Sequence, residues 1–427
     1  MTNTKKILII THGFIPYSAN LGSVLRMLKL ADFLVDKGYE IHLLAAKGFF
    51  LGYLGYEHIL DKIKITYVHD LFQYASTLTS ISGSAHKEQS AAPSHRYLLL
   101  PGIMKEFIKE VSVPDPIVYS TPFYAVKALK IIRQHGIKNV IVSSPPHSMQ
   151  LVGLIVKTAL KNMINLVVDY RDTWNTTQIF RKKNFAFQAL NSYLEKCVLT
   201  AADRFVYCTN PMLGKINHLF FDISEKSQLV MNGFDIQNRI VPKRINMHNA
   251  FLTIGYFGAL NEHEKSYRNP SLFFKAVEKL KTRIKLIFYG NISIASHWNE
   301  RLKGIIEIHK SIPHNKAIER MQDMDLLMLL HSERYGADEV ITGKFFDYIL
   351  SERPILSVGP TNMESSRMVR EHGIGYVADL YNEMDLLNTL NQIVKDWGNK
   401  ALPTVRNEDF KYFSRQSQFN KLLNMFV

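Results

Sequence analysis

Short runs of β-branched and aliphatic residues recur along this 427-residue chain, with amphipathic stretches between them. That alternation constrains the fold more than any other feature. A fully apolar run too short for a helix suits a strand buried on both faces. A parallel strand needs a long, usually helical, crossover before its neighbour can pair with it. Runs at 6–11, 40–44, 63–68, 139–143, 166–169 and 205–208 read as such strands. Residues 23–37 carry helical spacing through Leu25, Leu28, Leu30, Ala31 and Leu34, and Gly38 ends that helix. The pattern stops over 236–250, which lacks apolar periodicity, and then restarts. The later strands are expected at 252–257, 285–289, 326–330 and 354–358, with helices over 272–280, 314–321, 344–350 and 384–397.

The expected architecture is therefore α/β: two Rossmann-like, doubly wound domains, 1–235 and 251–405, joined by the 236–250 linker and facing a central cleft. Residues 406–427 are expected to form a C-terminal helix that packs back on the first domain. Residues 71–113, rich in Ser, Ala and His, offer no strand-length apolar run before Tyr97 and read as an insertion. At 46% hydrophobic and 21% charged the composition is globular, which excludes collagenous, coiled-coil and disordered chains. Two cysteines, Cys197 and Cys208, make neither a disulfide framework nor a zinc site, and a reducing cytoplasm is expected. The apolar run from Ile7 to Ile10 is too short for a signal peptide, and no run reaches the ~18 apolar residues of a membrane span. Lys and Arg number 52 against 38 Asp and Glu, a net +14 that favours anionic partners.

Ligands of open parallel sheets bind beyond the carboxyl ends of the strands, so residues that follow strands carry the functional reading. After the first strand come Phe14-Ile15-Pro16 and Gly22 with Arg26, where a glycine at a helix start lets backbone N–H groups approach an anion or sugar. The spacing is not that of a dinucleotide fingerprint. Asp169-Tyr170-Arg171-Asp172 packs three charges into four residues after a strand, arranged either as a local ion pair or as groups that orient sugar hydroxyls. Gly258 ends the first strand of the second domain, and Lys265 and Arg268 follow as cations able to neutralise a diphosphate. Glu339 and Asp347 flank Thr342-Gly343-Lys344, a turn into a helix whose free N–H groups and positive end suit a diphosphate, with Asp347 placed to accept from ribose hydroxyls.

Taken in order, Phe14-Ile15-Pro16, Gly22, Arg26, Ser144-Pro145-Pro146, Asp169 to Asp172 with Trp174, Asn232-Gly233-Phe234-Asp235, Gly258, and Gly343 to Tyr348 with Arg353-Pro354 resemble family-4-type glycosyltransferases of the GT-B fold. The likeness is greatest to bacterial enzymes of surface-polysaccharide and lipopolysaccharide assembly. Glu339 and Asp347, separated by seven residues, are similar to that family's pair of glutamates, with Asp in the second place. Gln150 stands where relatives often carry histidine. The resemblance implies a retaining, metal-independent transferase of the hexosyltransferase type. It would move sugar from a nucleotide-diphosphate sugar to a saccharide or lipid-linked saccharide acceptor, with no cofactor beyond that co-substrate.

On this reading Asp172, Asp169, Arg171 and Glu339 act on the transferred sugar or acceptor. Gly22, Gly258, Lys265, Arg268, Thr342, Gly343, Lys344 and Asp347 bind the donor. The basic excess favours peripheral contact of a cytoplasmic enzyme with an anionic membrane surface. Asp323-Met324-Asp325 has a metal-binding form but precedes a strand, which suits capping better. A GT-B epimerase or hydrolase of the nucleotide sugar is the alternative. A non-catalytic polyanion-binding protein, nucleic acid included, would need a basic stripe with aromatic platforms, and no such interleaving is read from the sequence.

Overall fold

The computed structural model describes residues 5–18, 21–48, 56–69, 102–177, 181–239, 250–263, 266, 268–280, 283–331 and 337–427. The expected linker and insertion fall mostly outside these residues. The chain divides into two compact units, one of Met1–Cys208, Leu213–Val230 and Lys421–Val427, the other of Thr209–Met212 and Met231–Asn420.

The first unit is built on seven strands: β1 (Lys6–Ile10), β2 (Glu40–Lys47), β3 (Lys64–His69), β4 (Asn139–Ser144), β5 (Asn165–Tyr170), β6 (Arg204–Tyr207) and β7 (Ser227–Leu229). Their order is β3-β2-β1-β4-β5-β6-β7, and every neighbouring pair is parallel. β4 and β5 are buried at every position, as a strand covered on both faces must be. Helix Thr121–His135 ends on Gly136, whose φ of 64° supplies the left-handed cap, and Asn184 opens helix Phe185–Ala201 by accepting from the Ala186 and Phe187 N–H groups. The tail Lys421–Val427 closes this unit: Asn139 Nδ2 donates to the Val427 carbonyl at 2.9 Å and Asn165 Nδ2 to that of Met425 at 2.8 Å.

The second unit contains β8 (Leu252–Phe257), β9 (Leu260–Asn261), β10 (Ile284–Tyr289), β11 (Ile292–Ser293), β12 (Ile306–His309), β13 (Leu326–Leu330), β14 (Ile355–Gly359) and β15 (Gly375–Asp379). Six of them form a parallel sheet in the order β12-β10-β8-β13-β14-β15, while β9 and β11 pair separately. Counted from its own first strand this is 3-2-1-4-5-6, the same winding as the first six strands of the other unit. Phe273, Phe274, Phe288 and Trp298 fill the core on one side of this sheet.

The strands read from apolar runs stand within a residue or two of their expected positions, except that β2 runs three residues further, to Lys47. β7, β9, β11, β12 and β15 were not expected. β7, β12 and β15 lie at sheet edges, where half-buried residues break the continuous apolar run. Asp325 sits at the amino end of β13, where its carboxylate accepts from Thr253 N and Oγ1, both at 2.8 Å, and so joins the starts of β8 and β13. That is a strand cap far from the carboxyl ends.

Candidate functional site

In each sheet the winding reverses next to the unit's first strand, and the space beyond the carboxyl ends there is where a parallel sheet takes its ligands. In the second unit the reversal lies between β8 and β13. Only Ile254 and Gly255 pair with Leu326 and Leu327, and past them the strands part. The buried Tyr348 phenol fills the gap, accepting from Phe257 N and donating to the Met328 carbonyl, each at 3.2 Å. Tyr348 belongs to helix Gly343–Leu350, whose Phe345, Phe346, Ile349 and Leu350 are buried with it. Helical spacing then leaves Gly343, Lys344 and Asp347 on the more open side. Thr342 precedes the helix in an extended conformation and its side chain makes no capping bond.

Lys344 Nζ donates to Tyr256 Oη at 2.8 Å and lies 4.1 Å from the centre of that ring. Gly258, at φ +134°, makes room for it: a Cβ there would stand 2.5 Å from both Cε and Nζ of Lys344. Burial pushes the ammonium down to about 7, helped by the positive charge of Arg268 and opposed by Asp347. Two cations thus share one locality at the start of a helix, an arrangement that an anion would relieve. Asp347 Oδ1 pairs with His314 Nε2 at 3.0 Å, and this bond raises the histidine above its ordinary value against the effect of burial. Glu339, in the turn Ala337–Glu339, is buried at 3% exposure, and its carbonyl accepts from Thr209 Oγ1 at 2.8 Å. Lys265 lies outside the described residues.

In the first unit the reversal falls between β1 and β4. Asp169, on β5, is 2% exposed. Its Oδ1 accepts from Arg26 Nη2 at 2.7 Å and its Oδ2 from Ser143 Oγ at 2.7 Å. Burial disfavours the Arg26 charge, but Asp169 outweighs it and the guanidinium is held above its ordinary value. This carboxylate is held in an internal ion pair that ties helix Leu21–Asp36 to β5. Arg171 donates to the carbonyls of Ser144 and Pro145 and so fixes the loop after β4. Asp172 alone of the three is exposed, while the protein mass behind it raises its carboxyl against the pull of Arg171. Gly22 is the second residue of helix Leu21–Asp36.

Gln150 is fully buried, with Nε2 donating to the Val142 carbonyl at 2.9 Å and to Ser144 Oγ at 3.0 Å. His147 is likewise buried, stacked 5.1 Å from Trp174, and burial lowers it to about 3, so it is a neutral core residue. Sequence reasoning did not find Tyr256 or His314, the partners of Lys344 and Asp347, nor Asn191 and Glu195. Asn191 accepts from Trp174 Nε1 at 2.8 Å, and Glu195 from Asn175 Nδ2 at 2.7 Å, and together they hold the loop after Asp172. No local motif marks these four.

Among the described residues one His/carboxylate group is close enough to share a cation: Glu40, His42 and His135, with ligand atoms within 4.8 Å of one another. It lies at the amino end of β2, and Lys64 already holds Glu40 at 2.7 Å while Lys6 donates to the His135 carbonyl at 3.1 Å. Those two cations oppose a metal ion there.

No protein-family model matches the chain, and no curated protein matches it. Solved structures do. The chain is similar to WaaB, a lipopolysaccharide outer core galactosyltransferase, with a TM-score of 0.64, 11% identity and 98% of each chain covered. It is similar to Anabaena HepE, solved in complex with UDP and glucose, with a TM-score of 0.60, 12% identity and 98% of each chain covered. A putative UDP-N-acetylglucosamine 2-epimerase from Listeria monocytogenes gives a TM-score of 0.53 at 11% identity, over 98% of this chain and 95% of that one. The two parallel-sheet units therefore have the GT-B fold, which glycosyltransferases and an epimerase both use.

Proposed function

We propose that this protein is a retaining glycosyltransferase that moves a sugar from a nucleotide-diphosphate sugar to an acceptor hydroxyl, in bacterial surface-polysaccharide or glycolipid synthesis. The observation that carries this reading is Lys344 at the start of helix Gly343–Leu350, seated against Gly258 and feeling the positive charge of Arg268. Charge develops on the diphosphate as the bond to the sugar breaks. Two cations and a helix end placed in advance stabilise that charge without reorganisation, and without a metal ion. Asp347 binds the ribose, Glu339 the sugar, and Asp172 the acceptor side, with Asp169 and Arg171 keeping the Asp172 loop in place. The fold likeness to WaaB and HepE supports this reading, and a saccharide or lipid-linked acceptor at an anionic membrane surface completes it.

Incubation with nucleotide sugars and glycan or glycolipid acceptors, in EDTA, tests the proposal. Acceptor-dependent product with the anomeric configuration kept is expected. The epimerase fold neighbour favours one competing reading, and donor turnover in the absence of any acceptor would establish it instead.

A further inference from the structure

The first unit concentrates its exposed large apolar side chains on one of its two helical layers. Helices Thr121–His135, Ser148–Leu160 and Phe185–Ala201 pack side by side, and right-handed crossovers from β3 to β4, β4 to β5 and β5 to β6 place all three on one face of the sheet. Helix Leu21–Asp36, which joins β1 to β2 in the opposite direction, covers the other face.

Helix Thr121–His135 buries Tyr124, Ala128, Ile131 and Ile132 and turns Phe123, Val126, Lys127, Lys130 and Arg133 to solvent, a stripe at three- and four-residue spacing. Phe123 and Val126 are 66% and 67% exposed. The outward stripe of helix Phe185–Ala201 holds Phe185, Ala189, Leu190, Tyr193 and Lys196, with Phe185 at 86% and Tyr193 at 64%. Ile155 stands exposed on the helix between them. These helices are thus apolar outside as well as inside, which marks an interaction surface.

Among the described residues, the exposed charge on these three helices has one sign. Lys109, Lys127, Lys130, Arg133, Arg181 and Lys196 are among the exposed residues of this layer. Of the described acidic side chains in and around these helices, Asp115 and Glu195 are buried, the half-buried Glu110 accepts the Asn184 N–H, and the partly exposed Asp203 is paired with Lys157 at 2.6 Å. The opposite face is mixed, with exposed Asp36, Glu57 and Asp61 beside Lys37 and Lys62.

We propose that this face docks on an anionic lipid bilayer. The aromatic and aliphatic stripes enter the boundary between headgroups and acyl chains, and the Lys and Arg side chains meet lipid phosphates. A second copy of the chain would set like charge against like charge, whereas a bilayer offers both apolar depth and negative charge. The inference rests on the membrane element of the proposed function and not on its transfer chemistry.

Flotation of the full-length protein with vesicles tests it. Binding is expected on phosphatidylcholine mixed with phosphatidylglycerol, and none on phosphatidylcholine alone. Lys127→Gln, Lys130→Gln and Arg133→Gln together should lower partition roughly a hundredfold, since each basic residue near an anionic surface contributes a factor of about five. Phe123→Ser with Tyr193→Ser should remove the binding that survives added salt. Lys37→Gln with Lys62→Gln, on the opposite face, should change nothing. Failure of the wild type to float, or equal loss from the opposite-face pair, overturns the inference. A wild-type oligomer that Phe123→Ser converts to monomer assigns the face to a second copy and overturns it too. An Arg268→Met variant separates the two readings, because it should lose nucleotide binding yet float as the wild type does.

Discussion

Lys344 gives the proposed donor site a pH dependence that can be worked out in advance. In the free protein its ammonium sits near 7, because burial and Arg268 both disfavour the charge. A diphosphate bound between the two cations favours the charged form and returns it toward the ordinary lysine value of about 10.4. Below pH 7 the charge is already present, and binding takes up no proton. Above pH 7 the free protein has lost that proton, so each binding event must recover it and affinity falls. With these two values the loss between pH 7 and pH 9 is roughly fiftyfold, or about 2.3 kcal/mol. The ligand contributes little over this range, since a terminal phosphate with its second pKa near 6 is already ionised. Isothermal titration of the tightest-binding nucleoside diphosphate against wild type and Lys344→Met, each at several pH values, measures the effect. Lys344→Met should bind weakly with a flat profile. A flat profile in the wild type, or the same slope in the variant, would refute the reasoning.

Asp169→Asn leaves Arg26 buried without its counter-charge and should cost roughly 3 kcal/mol or more, seen as a lowered urea midpoint. Asp172→Asn should leave that midpoint nearly unchanged while turnover drops about a hundredfold, so equal destabilisation by both changes would contradict the division drawn between them. Gly258→Ala must hold φ near +134° with a Cβ on Lys344, and nucleoside diphosphate affinity should fall at least about tenfold; undiminished affinity would remove Lys344 from the site. Asp347→Asn should raise the donor KM by roughly tenfold or more with little change in kcat, because a hydrogen bond to a charged acceptor is lost from donor binding.

The two-sheet architecture was legible because fully buried parallel strands need unbroken apolar runs, and β4, β5 and β13 have them. β15, with the sequence Gly-Tyr-Val-Ala-Asp and only Ala378 buried, carries no such run, and its place follows from pairing with β14. The helix start at Thr342 was equally legible from the glycine and the apolar spacing after it. What the sequence could not show was which charges are buried in internal pairs and which stay exposed. Asp169 and Asp172 look alike in Asp169-Tyr170-Arg171-Asp172, yet the β5 register puts one opposite Ser143, within reach of Arg26, and leaves the other beyond the strand end. Tyr256 and His314 were invisible for the same reason, since their partners lie 88 and 33 residues away.

A crystal of the protein grown with a nucleoside diphosphate tests the central claim most directly. The terminal phosphate should lie at the start of helix Gly343–Leu350, within hydrogen-bond distance of Lys344 Nζ and Arg268. Density for the nucleotide anywhere else, with Lys344 still on the Tyr256 hydroxyl, would contradict the account.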